Sequence, residues 1–298
     1  MTRQKAMSMA AIRDMNNTSG EDFLSLRAIQ TIAGREIKLG FRNPWSYSFM
    51  GLFILFSLAL LLIQQQQGLQ DYSGTTSAMI NLILYLLPLM TLLLGSFSIA
   101  AEKEEGGWQL LSTYPIRAAG YVLGKYIGTL YVLLIIVAAG FGISGLISAF
   151  TSQSYTWKTY SLFIVFSCCL VLFFLALSLL IGVLCRNRWQ ALTVSVSVWF
   201  FLVLGWPTLL IALLGVLAYP LIKPMLMIMV FLNPAELSRL FLVIKLGGGS
   251  VLGPEYYRWV NWMHQPEGTL TFLAAGLLWI VLLLTAASWI LQRRRTHA

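Results

Sequence analysis

Tyr160-SLFIVFSCCLVLFFLALSLLIGV-Leu184 contains no charged side chain. A helix needs about 20 apolar residues to cross a bilayer core, and this run exceeds that. Inside hydrocarbon the backbone must satisfy its own N–H and C=O groups, so the run is helical. Working outward, residues 45–63, 78–100, 122–150, 190–219 and 269–291 read the same way. The six runs together hold one charged side chain, Lys125, next to a run end. The expected fold is all-α, a polytopic membrane protein of six transmembrane helices over 45–291. A cytoplasmic N-terminus, 1–44, precedes them and a basic tail, 292–298, follows.

Composition agrees. Hydrophobic residues make up 58% and charged residues 10%, against roughly 25% charged in soluble domains. The formal charge of +9 does not point to nucleic acid, because the cations cluster beside the apolar runs. Arg3, Lys5, Arg13, Arg27, Arg35, Lys38 and Arg42 precede the first run, while 64–77 holds only the acid Asp71. Lys103 and Arg117 lie in the next loop, Lys158 stands alone in 151–159, Arg186 and Arg188 fill the tight turn, and Arg293, Arg294 and Arg295 end the chain. Basic and non-basic loops alternate, which places both termini in the cytoplasm. Carriers coupled to protons or ions need buried ionisable groups on their path. Their near-absence here assigns any uphill energy to another subunit.

Segment 220–268 tests the span count. Met225–Leu232 is too short to span, and a seventh span would put the triple-arginine tail outside. Pro224–Leu232 therefore reads as a re-entrant or interfacial helix on the outer side, between spans five and six. A second short helix, Ala235–Ile244, follows Pro234 and ends at Gly247, Gly248 and Gly249. Tyr256, Tyr257, Trp259 and Trp262 suit an outer headgroup layer. Pro207 should kink the fifth span.

Residues 22–40 read as an amphipathic interfacial helix. Phe23, Leu26, Ile29, Ala33 and Ile37 form its apolar face, and Arg27, Arg35 and Lys38 lie on the basic one. The loop after the second span begins with Glu102, Lys103, Glu104 and Glu105. These acids read as the start of a short helix, where they favour its positive end. Trp108, Leu110 and Leu111 are placed to enter a groove on a partner.

This loop resembles the glutamate-rich signature of type-2 ATP-binding-cassette transporter permeases. Glu102, Lys103, Glu104, Gly106, Leu110, Leu111 and Pro115 match it, as does the downstream Gly124-Lys125. Gly107 replaces a usual threonine and Gln109 a usual glutamate. The resemblance implies that the loop is a coupling helix docking into a cytoplasmic ATPase. It also implies that two copies of the chain pair above two ATPase subunits, in a bacterial inner membrane. ATP and magnesium would be bound by that partner. This chain lacks the phosphate-binding G-x-x-x-x-G-K-[ST] motif, and Gly120, Gly124, Lys125 and Tyr126 miss its spacing and its hydroxyl. The stretch up to Arg117, together with Asn233, Pro234, Glu236 and Arg239, is similar to permeases for copper-site maturation of nitrous oxide reductase. That likeness implies export of a sulfur or copper species and a periplasmic partner. Export of a lipid, peptide, antibiotic or polysaccharide is the alternative cargo reading.

Other chemistry is sparse. Met225, Met227 and Met229 alternate, so they do not share a helix face, and with Met263 and His264 they read as packing and not as a metal site. Glu236 and Arg239 are spaced for an exposed pair worth a few tenths of a kcal/mol. Ser96, Ser98, Thr193, Ser195 and Ser197 read as helix contacts, with the lining of a translocation path at a dimer seam as the alternative. No catalytic constellation is recognisable. A membrane scaffold without transport, or a lipid-modifying enzyme using His264 or Glu255, are the remaining readings.

Overall fold

The computed structural model describes residues 26–64, 74–107, 117–150, 157–216, 219–249 and 257–296. All regular elements among them are helices. Helix α1 covers 26–42, α2 Pro44–Gln64, α3 Gly74–Glu104, α4 Ala118–Phe150 and α5 Trp157–Leu184. Next comes α6, three collinear pieces: α-helical Arg188–Trp199, π-helical Phe200–Gly205 and α-helical Trp206–Val216. Then follow α7 (Tyr219–Leu232), α8 (Pro234–Lys245), α9 (Tyr257–His264) and α10 (Pro266–Thr296).

Among the described residues five helices are long and apolar enough to cross a membrane: Thr76–Glu104, Ala118–Ile147, Trp157–Leu184, Arg188–Leu213 and Pro266–Arg294. The apolar part of α2, Pro44–Ala59, is shorter than these. The sixth expected span, 45–63, is therefore an apolar helix that falls short of that length among the described residues. Where the re-entrant segment is expected, Pro224–Leu232 and Pro234–Lys245 bend by 109° across Asn233, the shape of a broken span or of a re-entrant loop, and counted as one span the pair would bring the total to six.

Helices α3 and α5 form the centre. They have 67% and 61% of their apolar windows buried, against 11% for α6 and 17% for α10. Lipid tails are as apolar as leucine, so close helix approach here depends on small residues more than on a hydrophobic drive. Gly95 and Gly182 supply it. A Cβ on Gly182 would lie 2.8 Å from the Ser96 carbonyl oxygen. Ser96 Oγ then meets Ser195 Oγ of α6 at 3.0 Å, so these two hydroxyls are helix contacts. Thr193 and Ser197 are exposed and bond to carbonyls of their own helix. Around this seam pack Ile83, Leu87, Met90, Phe163, Leu170 and Phe174.

Pro207 does not produce a sharp kink. Its missing N–H is absorbed by the π turn directly before it, and Trp206 N–H bonds back to the Phe201 carbonyl. The span Arg188–Leu213 stays one unit. Leu26, expected on the packed face of α1, is 59% exposed. Phe23 lies outside the described residues.

Gly182→Val should cost about 1–3 kcal/mol, because the added carbons meet backbone and not a movable side chain. Gly51, with nothing near its Cβ position, should accept alanine without loss. Melting temperatures of the two variants in detergent check this contrast.

Candidate functional site

Charge gathers at one end of the bundle, where α1, the last turn of α3, the first turns of α4, the α5–α6 turn and the end of α10 meet. A stripe of small residues brings α1 there. Gly120, Gly124 and Gly128 recur every fourth residue on α4. A Cβ on Gly124 would lie 2.8 Å from Ile32 Cβ, and one on Gly128 would lie 2.7 Å from the Ala33 carbonyl. Backbone thus rests on backbone. That contact sets Glu36 beside Lys125.

Lys125 is 1% exposed and Glu36 5%. The Lys125 ammonium lies 2.6 Å from Glu36 Oε1 and 3.1 Å from Glu102 Oε1, and donates to the Ser98 carbonyl at 2.6 Å. Arg35 reaches the same Glu102 oxygen at 2.9 Å, and Tyr121 donates its hydroxyl to Glu102 Oε2. Glu102 Oε1 sits between two cations yet has no aligned hydrogen bond. Burial holds the Glu36 carboxyl above its ordinary range against the opposing pull of Lys125. A buried charge of this kind is tolerated because it is paired.

The acids of the loop are not where the sequence placed them. Glu102 and Glu104 occupy the last turn of α3 and Glu105 follows it, at the unfavourable negative end of that dipole. Cations and a second helix compensate. Glu104 Oε2 accepts the backbone N–H of Arg188 at 3.0 Å, so it faces the positive end of α6 instead. The Arg188 guanidinium pairs with Glu105 and lies 3.6 Å from Glu104. Lys103 turns the other way. Its ammonium donates to the carbonyls of Gly182, Val183 and Cys185, and Arg294 donates to those of Val183 and Leu184. These are orphan acceptors at the end of α5. Gly106 has φ +74°, a left-handed conformation that glycine adopts without strain, and it stops α3. Trp108, Leu110, Leu111 and Pro115 lie outside the described residues.

At the other end, Asn233 explains its own place in the sequence. Its Oδ1 caps α8 by accepting from Ala235 N–H at 2.9 Å, and its Nδ2 donates to the Leu202 carbonyl in the π turn at 2.6 Å. Pro234 occupies the first turn of α8. Trp206 and Trp279 donate to the Met229 and Phe231 carbonyls at the end of α7. Glu236 and Arg239 pair at 3.5 Å, but both are partly buried and not free on the surface. Met263 is fully buried, Met227 is exposed, and the His264 side chain lies outside the described residues. Among the described residues no group of three His, Cys, Asp or Glu side chains could hold a metal ion.

The sequence profile of the ABC-2 family transporter protein group matches residues 30–295. The chain belongs to the ABC-2 transporter family. The resemblance seen at 102–115 is thereby upheld, and this ABC-2 chain is a multi-pass membrane permease. Two relatives are each named probable ABC transporter permease protein NosY. One, from Stutzerimonas stutzeri, is 29% identical over 237 residues, 76% of this chain and 86% of that protein. The other, from Pseudomonas aeruginosa, is 31% identical over 228 residues, 74% and 82%. For this ABC-2 chain, sequence reasoning found the loop acids and missed Glu36, Tyr121 and the capping roles of Lys103 and Arg294. One signal was present: an acid, Glu36, interrupts the apolar face of α1, and one cation, Lys125, interrupts the apolar runs.

Three outcomes are expected. Lys125→Met leaves two buried carboxylates short of a cation and should destabilise by about 3–5 kcal/mol. Glu36→Leu combined with it should recover part of that loss, as a thermal double-mutant cycle would show. Asn233→Ala should cost about 1–2 kcal/mol, read in the same melting assay.

Proposed function

We propose that this chain is the transmembrane subunit of an ATP-binding-cassette exporter, paired with a second copy of itself and driven by two separate ATPase subunits. Both termini lie in the cytoplasm and the chain sits in the bacterial inner membrane with six spans, α2 counted as the first. The observation that carries this reading is how the 102–106 segment is tied down. Glu104 and Glu105 hold Arg188 at the head of α6, while Glu102 holds Arg35 of α1 and Lys125 of α4. A push on the following loop therefore reaches three helices at once.

The chemistry of coupling is mechanical. ATP and its magnesium stay on the partner, and closure of the ATPases moves the 102–115 loop as a lever. For this to shift the permease, ATP must favour one helix arrangement over the other. Helix α6 is placed to respond, because it is buried over only 11% of its apolar window and is anchored at its head by the loop acids. The exposed Arg27, Arg35 and Lys38 of α1 face the headgroup layer and the ATPase. The cargo is a sulfur or copper species for copper-enzyme maturation, handed to a periplasmic protein. The likeness of the Asn233-Pro234 segment to permeases for copper-site maturation supports that choice.

Glu104→Ala should cut cargo-stimulated ATPase activity and transport by about fivefold or more, within the usual range of coupling energies. Membrane insertion and basal ATPase assembly should remain. Unchanged transport in reconstituted complexes would remove the lever. Sustained uphill flux by the permease alone, on a proton or sodium gradient, would overturn the division of labour.

A further inference from the structure

Between α1, the head of α2 and the charged end of α3 lies a cavity of about 500 Å³. That is within the range of small-molecule sites. Three carboxylates line it, and each is already paired: Glu36 with Lys125, Glu102 with Arg35 and Lys125, and Glu105 with Arg188. Arg42 also lines it and has no ion-pair partner among the described residues. Ser46 is 3% exposed, lines the same space, and its Oγ has no hydrogen-bond partner. An unmet buried hydroxyl calls for a ligand or water. Ser46 stands in the first turn of the 21-residue α2, the positive end of that helix.

We infer that this cavity holds the phosphodiester of a membrane phospholipid, with Arg42 as its charge partner and the Ser46 hydroxyl as a donor. Three features select this ligand. One unpaired guanidinium matches one phosphodiester charge, which persists across the physiological pH range. Trp45 and Leu39, 48% and 42% exposed, give the cavity apolar shoulders beside which acyl chains run. Its level, where apolar helices give way to charge, is that of the headgroups, where tryptophan is enriched. The site is independent of the transport reading above, since lipid retention is measured without an ATPase or a cargo.

The full chain, purified in detergent and stripped of lipid, is melted with phosphatidylethanolamine, with phosphatidylglycerol, with a diacylglycerol of the same chains, and with inorganic phosphate. Both phospholipids should raise the melting temperature by several degrees, while diacylglycerol and inorganic phosphate should not. Arg42→Ala and Ser46→Ala should each cut that rise by at least half, and native mass spectrometry should show one bound phospholipid per chain lost in Arg42→Ala. Arg42 is exposed and Ser46→Ala only removes an oxygen, so both variants should fold. An equal rise with diacylglycerol, or with inorganic phosphate, would overturn the proposal, as would variants that respond like the parent chain.

Discussion

A lysine inside an apolar helix is the constraint that organises this molecule. Lys125 has to be paired to stay in α4, and its two carboxylates come from elsewhere in the chain: Glu36 of α1 and Glu102 of α3. The pairing fixes which face of α1 meets the bundle and how far α3 extends. Desolvation makes such a cluster a weak source of net stability. Its value is registry, since this placement of α1 brings the three charges together along the glycine stripe on α4.

The same end of the bundle settles a problem of helix termini. Helix α3 ends in acids, at the wrong pole of its own dipole. Helix α5 ends in bare carbonyls, and α6 begins a few residues later. Lys103 serves the end of α5 while Glu104 serves the start of α6. One short acidic-basic sequence thus completes two neighbouring helices.

Much of this was legible beforehand because hydrocarbon leaves few options. Runs such as Tyr160–Leu184 admit only a helix, and Asn233-Pro234 announces a cap and a turn. Asn233 also showed that a residue matched by family likeness has a physical task, the strap onto Leu202. What stayed hidden depended on distance in sequence. Glu36 and Lys125 are 89 residues apart, and neither has meaning until α1 lies on α4. Gly120, Gly124 and Gly128 carried the signal for that contact, but Gly120 and Gly124 were weighed only against a phosphate loop whose spacing they miss, and Gly128 was not singled out. The loop acids were misplaced because α3 runs on past the apolar stretch. Glu102 and Glu104 are good helix formers, so nothing local ends the helix before Gly106.

The π turn in α6 has a geometric result. Ser195 and Trp206 are separated by three turns of an ordinary α-helix, so they would point the same way. Here Ser195, with Trp199, faces α3, while the Trp206 indole reaches round to α7. The wider turn between them swings the far half of the rod by roughly 100°, one residue's worth of rotation. Ten α-helical steps turn as far as these eleven, so an α-helix one residue shorter would keep the Trp206 indole on α7, whereas a regular α-helix of the present length would swing that tether round towards α3.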